Sequence, residues 1–217
     1  MFRRGFAVLG IIGSLGGEDG DQATTSDPDA TEVVASGDVG DETEEEIDDS
    51  APKYGNGTYL VGDDIESGLY KVVLTDTFTN MGYIERSKDV SMDFDSILAN
   101  IVLTGDGYVA IKDSDVAVKL QGVEISGPID LDNLEPEMKE EVAGGIYLVG
   151  YDIRPGRYKV EVTDEITEMG YVERAKNVSM GMDDIIANEI IQGQGYVDIK
   201  DSDFAIRVQG AKLIFQE

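Results

Sequence analysis

Residues 57–125 and 145–213 are one segment written twice. They align at a constant offset of 88 with no gap and with 39 identities in 69 positions. GTYLVGDDIESGLYKV lies over GIYLVGYDIRPGRYKV, MGYIERSKDVSM over MGYVERAKNVSM, and GYVAIKDSDVAVKLQG over GYVDIKDSDFAIRVQG. A unit of about 70 residues is longer than the 20–45 residues of a stacked solenoid repeat, so each copy must be a domain. Whatever fold suits one copy has to suit the other.

The differences between the copies report which way side chains face. Tyr70, Val72 and Leu74 correspond to Tyr158, Val160 and Val162, whereas Val73 becomes Glu161. Val109 and Ile111 return as Val197 and Ile199, with Ala110 replaced by Asp198. Val116, Val118 and Leu120 become Phe204, Ile206 and Val208 around the basic pair Lys119 and Arg207. Apolar positions kept at a period of two, with tolerant positions between them, indicate half-buried strands of an antiparallel sheet.

Turn residues divide these runs. Ser67-Gly68 matches Pro155-Gly156, and Gly105-Asp-Gly107 matches Gly193-Gln-Gly195; both are turn signals. Six strands per copy are expected, near 58–62, 69–75, 81–86, 97–103, 108–112 and 116–125, with a turn at 95–100 leading into a strand. Short strands separated by Gly turns predict an all-β chain of two tandem small antiparallel β-sandwich domains, jelly-roll-like, at 53–126 and 144–217. Between them, 127–143 contains LDNLEPEMKEEV, where an Asp start and an early Pro136 predict a short linker helix.

The N-terminal part differs in kind. Residues 1–17, MFRRGFAVLGIIGSLGG, carry two arginines ahead of a short apolar run. That run is too short to span a bilayer and suits an export signal, loosely of the twin-arginine type, or a membrane-proximal segment. Residues 18–52 hold 14 acidic side chains and no basic or aromatic ones, so a disordered acidic tether is expected there.

With no Cys and no His in the chain, a Ser-His-Asp triad, a Cys nucleophile, disulfides and thiolate or imidazole metal sites are excluded. A net charge of −28 repels phosphate backbones and anionic membrane surfaces, so neither is an expected partner. Three candidate sites remain. Tyr83, Glu85 and Arg86, with Tyr171, Glu173 and Arg174, offer an aromatic ring and a carboxylate that could meet a sugar, against a structural cross-strand role. The KDSD loops offer Asp113 and Asp115, and Asp201 and Asp203, to Ca²⁺, against a plain Asp turn. Paired carboxylates leave glycoside hydrolysis as a formal alternative.

GTYLVGDDIESGLY, MGYIERS, ILAN, GYVAIKDSD and LQG, and their second set GIYLVGYDIRPGRY, MGYVERA, IIAN, GYVDIKDSD and VQG, resemble a module of secreted proteins and lipoproteins of Gram-positive bacteria that has no assigned function. The resemblance covers both repeats and nothing before Lys53. In its GCYWER variant, a cysteine pairs with a second one in the last strand. The resemblance therefore implies that Gly82 lies close to Val123 and Gly170 close to Ala211, with packing replacing the bridge. The combined expectation is a non-enzymatic, exported cell-surface protein with no required cofactor. Its two modules would serve structural roles or bind a cell-wall polymer, a carbohydrate or another envelope protein. Calcium-dependent adhesion and adaptation of the acidic surface to high salt are the alternatives.

Overall fold

The computed structural model describes residues 51–217 apart from Met92. The export-signal-like segment 1–17, and all but the last two residues of the acidic segment 18–52, lie outside the described residues. The first copy forms β1 (Lys53–Tyr54), β2 (Gly57–Leu60), β3 (Gly68–Leu74), β4 (Gly82–Ser87), β5 (Ile97–Leu103), β6 (Gly107–Ile111), β7 (Ala117–Gln121) and β8 (Val123–Ile129). The second forms β9 (Glu141–Val142), β10 (Gly145–Leu148), β11 (Gly156–Val162), β12 (Met169–Ala175), β13 (Ile185–Gln192), β14 (Gln194–Ile199), β15 (Ala205–Gln209) and β16 (Ala211–Gln216).

Each copy makes two four-stranded antiparallel sheets, ordered β1-β8-β3-β6 and β2-β7-β4-β5 in the first, and β9-β16-β11-β14 and β10-β15-β12-β13 in the second. Apart from β4–β5 and β12–β13, consecutive strands within a copy alternate between its two sheets. That is the double Greek key of a jelly roll. The period-two pattern has the expected orientation. Tyr70, Val72, Tyr158 and Val160 are wholly buried between the sheets, whereas Val73 is exposed.

Two expectations need correction. The run 116–125 is not one strand, because Gly122 takes φ 65° and its counterpart Gly210 takes φ 62°. A left-handed residue turns the chain sharply, sending β7 and β8 into opposite sheets. With the two-residue β1, each copy has eight strands where six were expected. The linker helix also fails to form. Asp130 accepts from the Asp132 N–H at 3.1 Å and starts only a 3₁₀ turn at Leu131–Asn133. Short isolated helices are marginal, and this segment finds better partners. Lys139 N–H donates to Asp152 O at 2.7 Å, and Glu141–Val142 pair with β16.

The jelly rolls are joined, not strung as separate beads. Ile146 N–H donates to Asp106 O at 3.0 Å, and Ala110 N–H donates to Val178 O at 3.0 Å. Ile146, Leu148, Val178 and Ala205 of the second copy belong to the same apolar core as Ile101, Leu103, Tyr108 and Val109 of the first. The β5–β6 edge of the first sandwich is therefore closed by the second.

Candidate functional site

The strongest chemical motif of each copy sits on β4 and β12. Alternation places Tyr83 and Glu85 on one face of β4, and Ile84 and Arg86 on the other. Ile84 is wholly buried, and Arg86 follows it inward. Its Nε and Nη2 donate to Asp115 Oδ2 and Oδ1 at 2.6 and 2.8 Å. Asp115 Oδ2 also accepts from the Lys112 N–H at 2.7 Å, so KDSD is the turn that carries an aspartate back onto the arginine. The second copy repeats the clamp, with Arg174 on Asp203 at 2.7 and 2.9 Å and Lys200 N–H on Asp203 at 2.8 Å. Paired, charge-assisted hydrogen bonds of this kind hold a buried carboxylate firmly. Burial pushes the Asp203 carboxyl up, but the hydrogen bonds from Arg174 and the Lys200 N–H, with the charges of both residues, outweigh it and hold the group below the usual carboxylate range.

These contacts redirect the metal expectation. Asp115 and Asp203, read from sequence as calcium ligands, have both oxygens committed to an arginine. Asp113 accepts from the Ser67 hydroxyl at the surface, and Asp201 is exposed. Among the described residues, no group of three or more His, Cys, Asp or Glu side chains forms a metal site. The physical reason is charge balance: a guanidinium inside the fold is a closer counter-ion for the buried aspartate than a cation drawn from solvent.

The sugar-binding expectation is altered in the first copy. Glu85 is 4% exposed and Arg86 3%, so neither presents itself to a ligand. Tyr83 donates its hydroxyl to Glu85 Oε2, and Ser87 Oγ donates to Glu85 Oε1 at 3.3 Å. Burial, then the hydrogen bond to Glu85 and its charge, push the Tyr83 hydroxyl up to about 12. In the second copy Tyr171 donates to Glu173, and Asn188 Nδ2 donates to Tyr171 Oη at 3.3 Å. The Arg207 guanidinium stands 5.5 Å from the Tyr171 ring centroid. Tyr171 and Glu173 remain half-buried, and Tyr171 lines an open groove of about 430 Å³ together with Asp164, Ile190, Arg207 and Gln209. Arg174 is turned inward like Arg86. Of the six residues, Tyr171 lines that groove, and its partner Glu173 lines the small cavity at the junction between the copies instead.

Sequence reasoning missed the junction between the copies. Arg86 Nη1 donates to the Ser179 carbonyl, so the second copy caps the first copy's clamp. Tyr108 Oη donates to Asp152 Oδ1 at 3.3 Å. Burial pushes the Asp152 carboxyl up, against hydrogen bonds from the Leu148 N–H and Tyr108 and the nearby charges of Lys139 and Lys71. The available signal lay in the unlike positions of the alignment: Ile146 and Ile101 are apolar in one copy where their counterparts are Thr58 and Glu189.

The close pairs implied by the cysteine-bearing variant are present. A Cβ at position 82 would lie 2.2 Å from Val123 Cγ1, and one at 170 would lie 2.7 Å from Ala211 Cβ. Glycine occupies both positions because the side chains of Val123 and Ala211 fill the space that a Cβ would need. No curated protein and no solved structure matches the chain. A family model for the Rv1352-like extracellular domain matches twice, over residues 51–124 and 138–212, each match covering most of one jelly roll. With both copies accounted for in this way, the chain belongs to the Rv1352-like extracellular domain family and is extracellular.

Proposed function

We propose that the protein is a non-enzymatic component of the cell envelope, of the Gram-positive type its motifs resemble, and that it presents its paired jelly rolls to a wall polymer or other surface carbohydrate. The observation that carries this reading is the commitment of the motif carboxylates. Glycoside hydrolysis needs two available carboxyl groups facing each other across a cleft. Here Asp115 and Asp203 are held by arginines, and Glu85 and Glu173 accept from tyrosines. The second copy's groove supports the binding role. It sets an aromatic ring under a guanidinium, beside an amide and a carboxylate, a combination that stacks on a sugar face and hydrogen-bonds its hydroxyls.

Co-sedimentation of the full chain with insoluble cell-wall polysaccharide tests the proposal. The wild-type chain is expected in the pellet, with Tyr171→Ala and Arg207→Ala each reducing its retention. A chain that stays in the supernatant across a panel of wall polymers would remove the binding role. Release of reducing sugar would remove the non-enzymatic one.

A further inference from the structure

The junction between the copies joins two different faces, and each copy carries both. The first copy supplies an acceptor face: the edge of β6, the Arg86–Asp115 clamp and Tyr108. The second supplies a donor face: the start of β10 and the Val178–Ser179 loop. Using them once leaves one of each unused. The unused donor face is on the first copy, where Val90 and Ser91 stand at the positions of Val178 and Ser179. The unused acceptor face is on the second, along β14 and the Arg174–Asp203 clamp. Val178 is 4% exposed and Val90 64%; Tyr108 is 6% exposed and Tyr196 54%.

We infer that the acceptor face of the second copy docks the donor face of the first copy of another chain, repeating the internal junction head to tail. The polar contacts have counterparts. Arg174 Nη1, for which no partner is found among the described residues, stands where Arg86 Nη1 meets the Ser179 carbonyl, and the Ser91 carbonyl is its counterpart acceptor. Tyr196 and Asp64 correspond to the hydrogen-bonded Tyr108 and Asp152. The Asp198 N–H and Val90 carbonyl correspond to the Ala110–Val178 bond.

Gly195 gives an independent indication. Its counterpart Gly107 has to be glycine, because a Cβ there would lie 2.8 Å from Ile146 N and 2.9 Å from Ile146 O. Gly195 has no positive φ, and a Cβ there would meet only the Ile191 side chain, at 3.3 Å. None of the described residues of the chain demands glycine at 195, whereas the approach of a neighbour's Thr58 backbone would. Where the copies differ, they differ in step. Ile101 and Ile146 line one small cavity with Arg207, and their counterparts Glu189, Thr58 and Lys119 replace an apolar contact with an acid facing a hydroxyl and a base. The repeated junction is therefore more polar than the internal one and weaker. A heterologous contact generates a ring where its rotation closes and an open filament where it does not, so an extracellular chain of this kind would assemble head to tail into one or the other.

The test is sedimentation velocity of the full chain from micromolar to millimolar concentration, with NaCl added to screen the net charge. Wild type is expected to show a distribution of oligomers growing with concentration. Val90→Glu and Tyr196→Glu, both at exposed positions, should each weaken self-association at least about tenfold while keeping the wild-type melting temperature. Each variant retains one intact face, so an equimolar mixture should form a capped 1:1 dimer. A wild type that stays monomeric throughout would overturn the inference. So would variants that associate as wild type does, or a mixture that fails to dimerise. None of these outcomes depends on polymer binding, so the two proposals fail separately.

Discussion

Arg86 and Arg174 make the same clamp in two environments, which allows the internal junction to be weighed. Arg86→Met keeps the apolar stem but leaves Asp115, whose side chain is wholly buried, without its counter-ion. Breaking a buried pair by removing one partner costs about 3–5 kcal/mol. The change also strands the Ser179 carbonyl, which accepts from Arg86 across the junction. Arg174→Met breaks the equivalent pair but strands no inter-module carbonyl, so it should cost about 1–2 kcal/mol less. A chain of this size loses about 2–4 °C per kcal/mol. The Arg86 variant should therefore melt about 8–28 °C below wild type, and the Arg174 variant about 2–8 °C above the Arg86 variant. Urea unfolding followed by circular dichroism supplies the free energies. A double-mutant cycle then isolates the junction: Arg86→Met and Val178→Ala should couple, whereas Arg174→Met and Val178→Ala should add. Equal destabilisation by the two arginine variants, within about 0.5 kcal/mol, would refute the claim that the second module caps the first module's clamp.

Introducing the cysteine pair Gly82→Cys with Val123→Cys, or Gly170→Cys with Ala211→Cys, should form a bridge. Closing a loop of about 40 residues is worth roughly 4 kcal/mol in the chain-entropy model, less, at 170 and 211, the strain of widening a Cβ–Cβ gap of 2.7 Å toward the roughly 3.8 Å of a disulfide. Oxidised and reduced melts measure this, and thiols that stay titratable after air oxidation would contradict the proximity. Asp203 has a depressed carboxyl pKa in the fold, so its contribution is present above the ordinary carboxylate range and lost as pH falls through the depressed value. Urea midpoints between neutrality and pH 3 should fall less steeply for Arg174→Met than for wild type, and identical slopes would count against the clamp as the cause. The Tyr83 hydroxyl, raised to about 12, stabilises the fold below the ordinary tyrosine range and loses that effect as pH climbs through about 12. Ultraviolet titration of wild type against Tyr83→Phe should therefore differ only near the upper end, and a difference centred at pH 10 would exclude the Glu85 hydrogen bond.

The clamp shows why part of the site was legible and part was not. GYIER and KDSD were visible as chemistry-bearing segments, because both copies preserve them while neighbouring positions vary. Their pairing was not visible, because Arg86 and Asp115 are brought together by the return of a loop across the sandwich, which residue spacing along one strand does not encode. Alternation puts Tyr83 and Glu85 on one face of the strand and Arg86 on the other, but the burial of Glu85 depends on packing that the strand's own sequence does not encode. The helix expected near Pro136 failed for a related reason. Local capping signals were outweighed by strand pairing with β16, which lies far along the chain.

The sequence by itself determined the duplication, the all-β class, most strand positions and the inward faces, because periodicity and unlike residues at equivalent positions act locally and are visible in one dimension. The separation of β7 from β8 follows from the left-handed Gly122, and glycine in a sequence specifies neither sign of φ by itself. Only the tertiary structure decided what the two nearly identical copies do differently. Tyr108 and Tyr196 share a motif, yet one is buried and the other open, because a neighbouring module covers the first and none of the described residues covers the second.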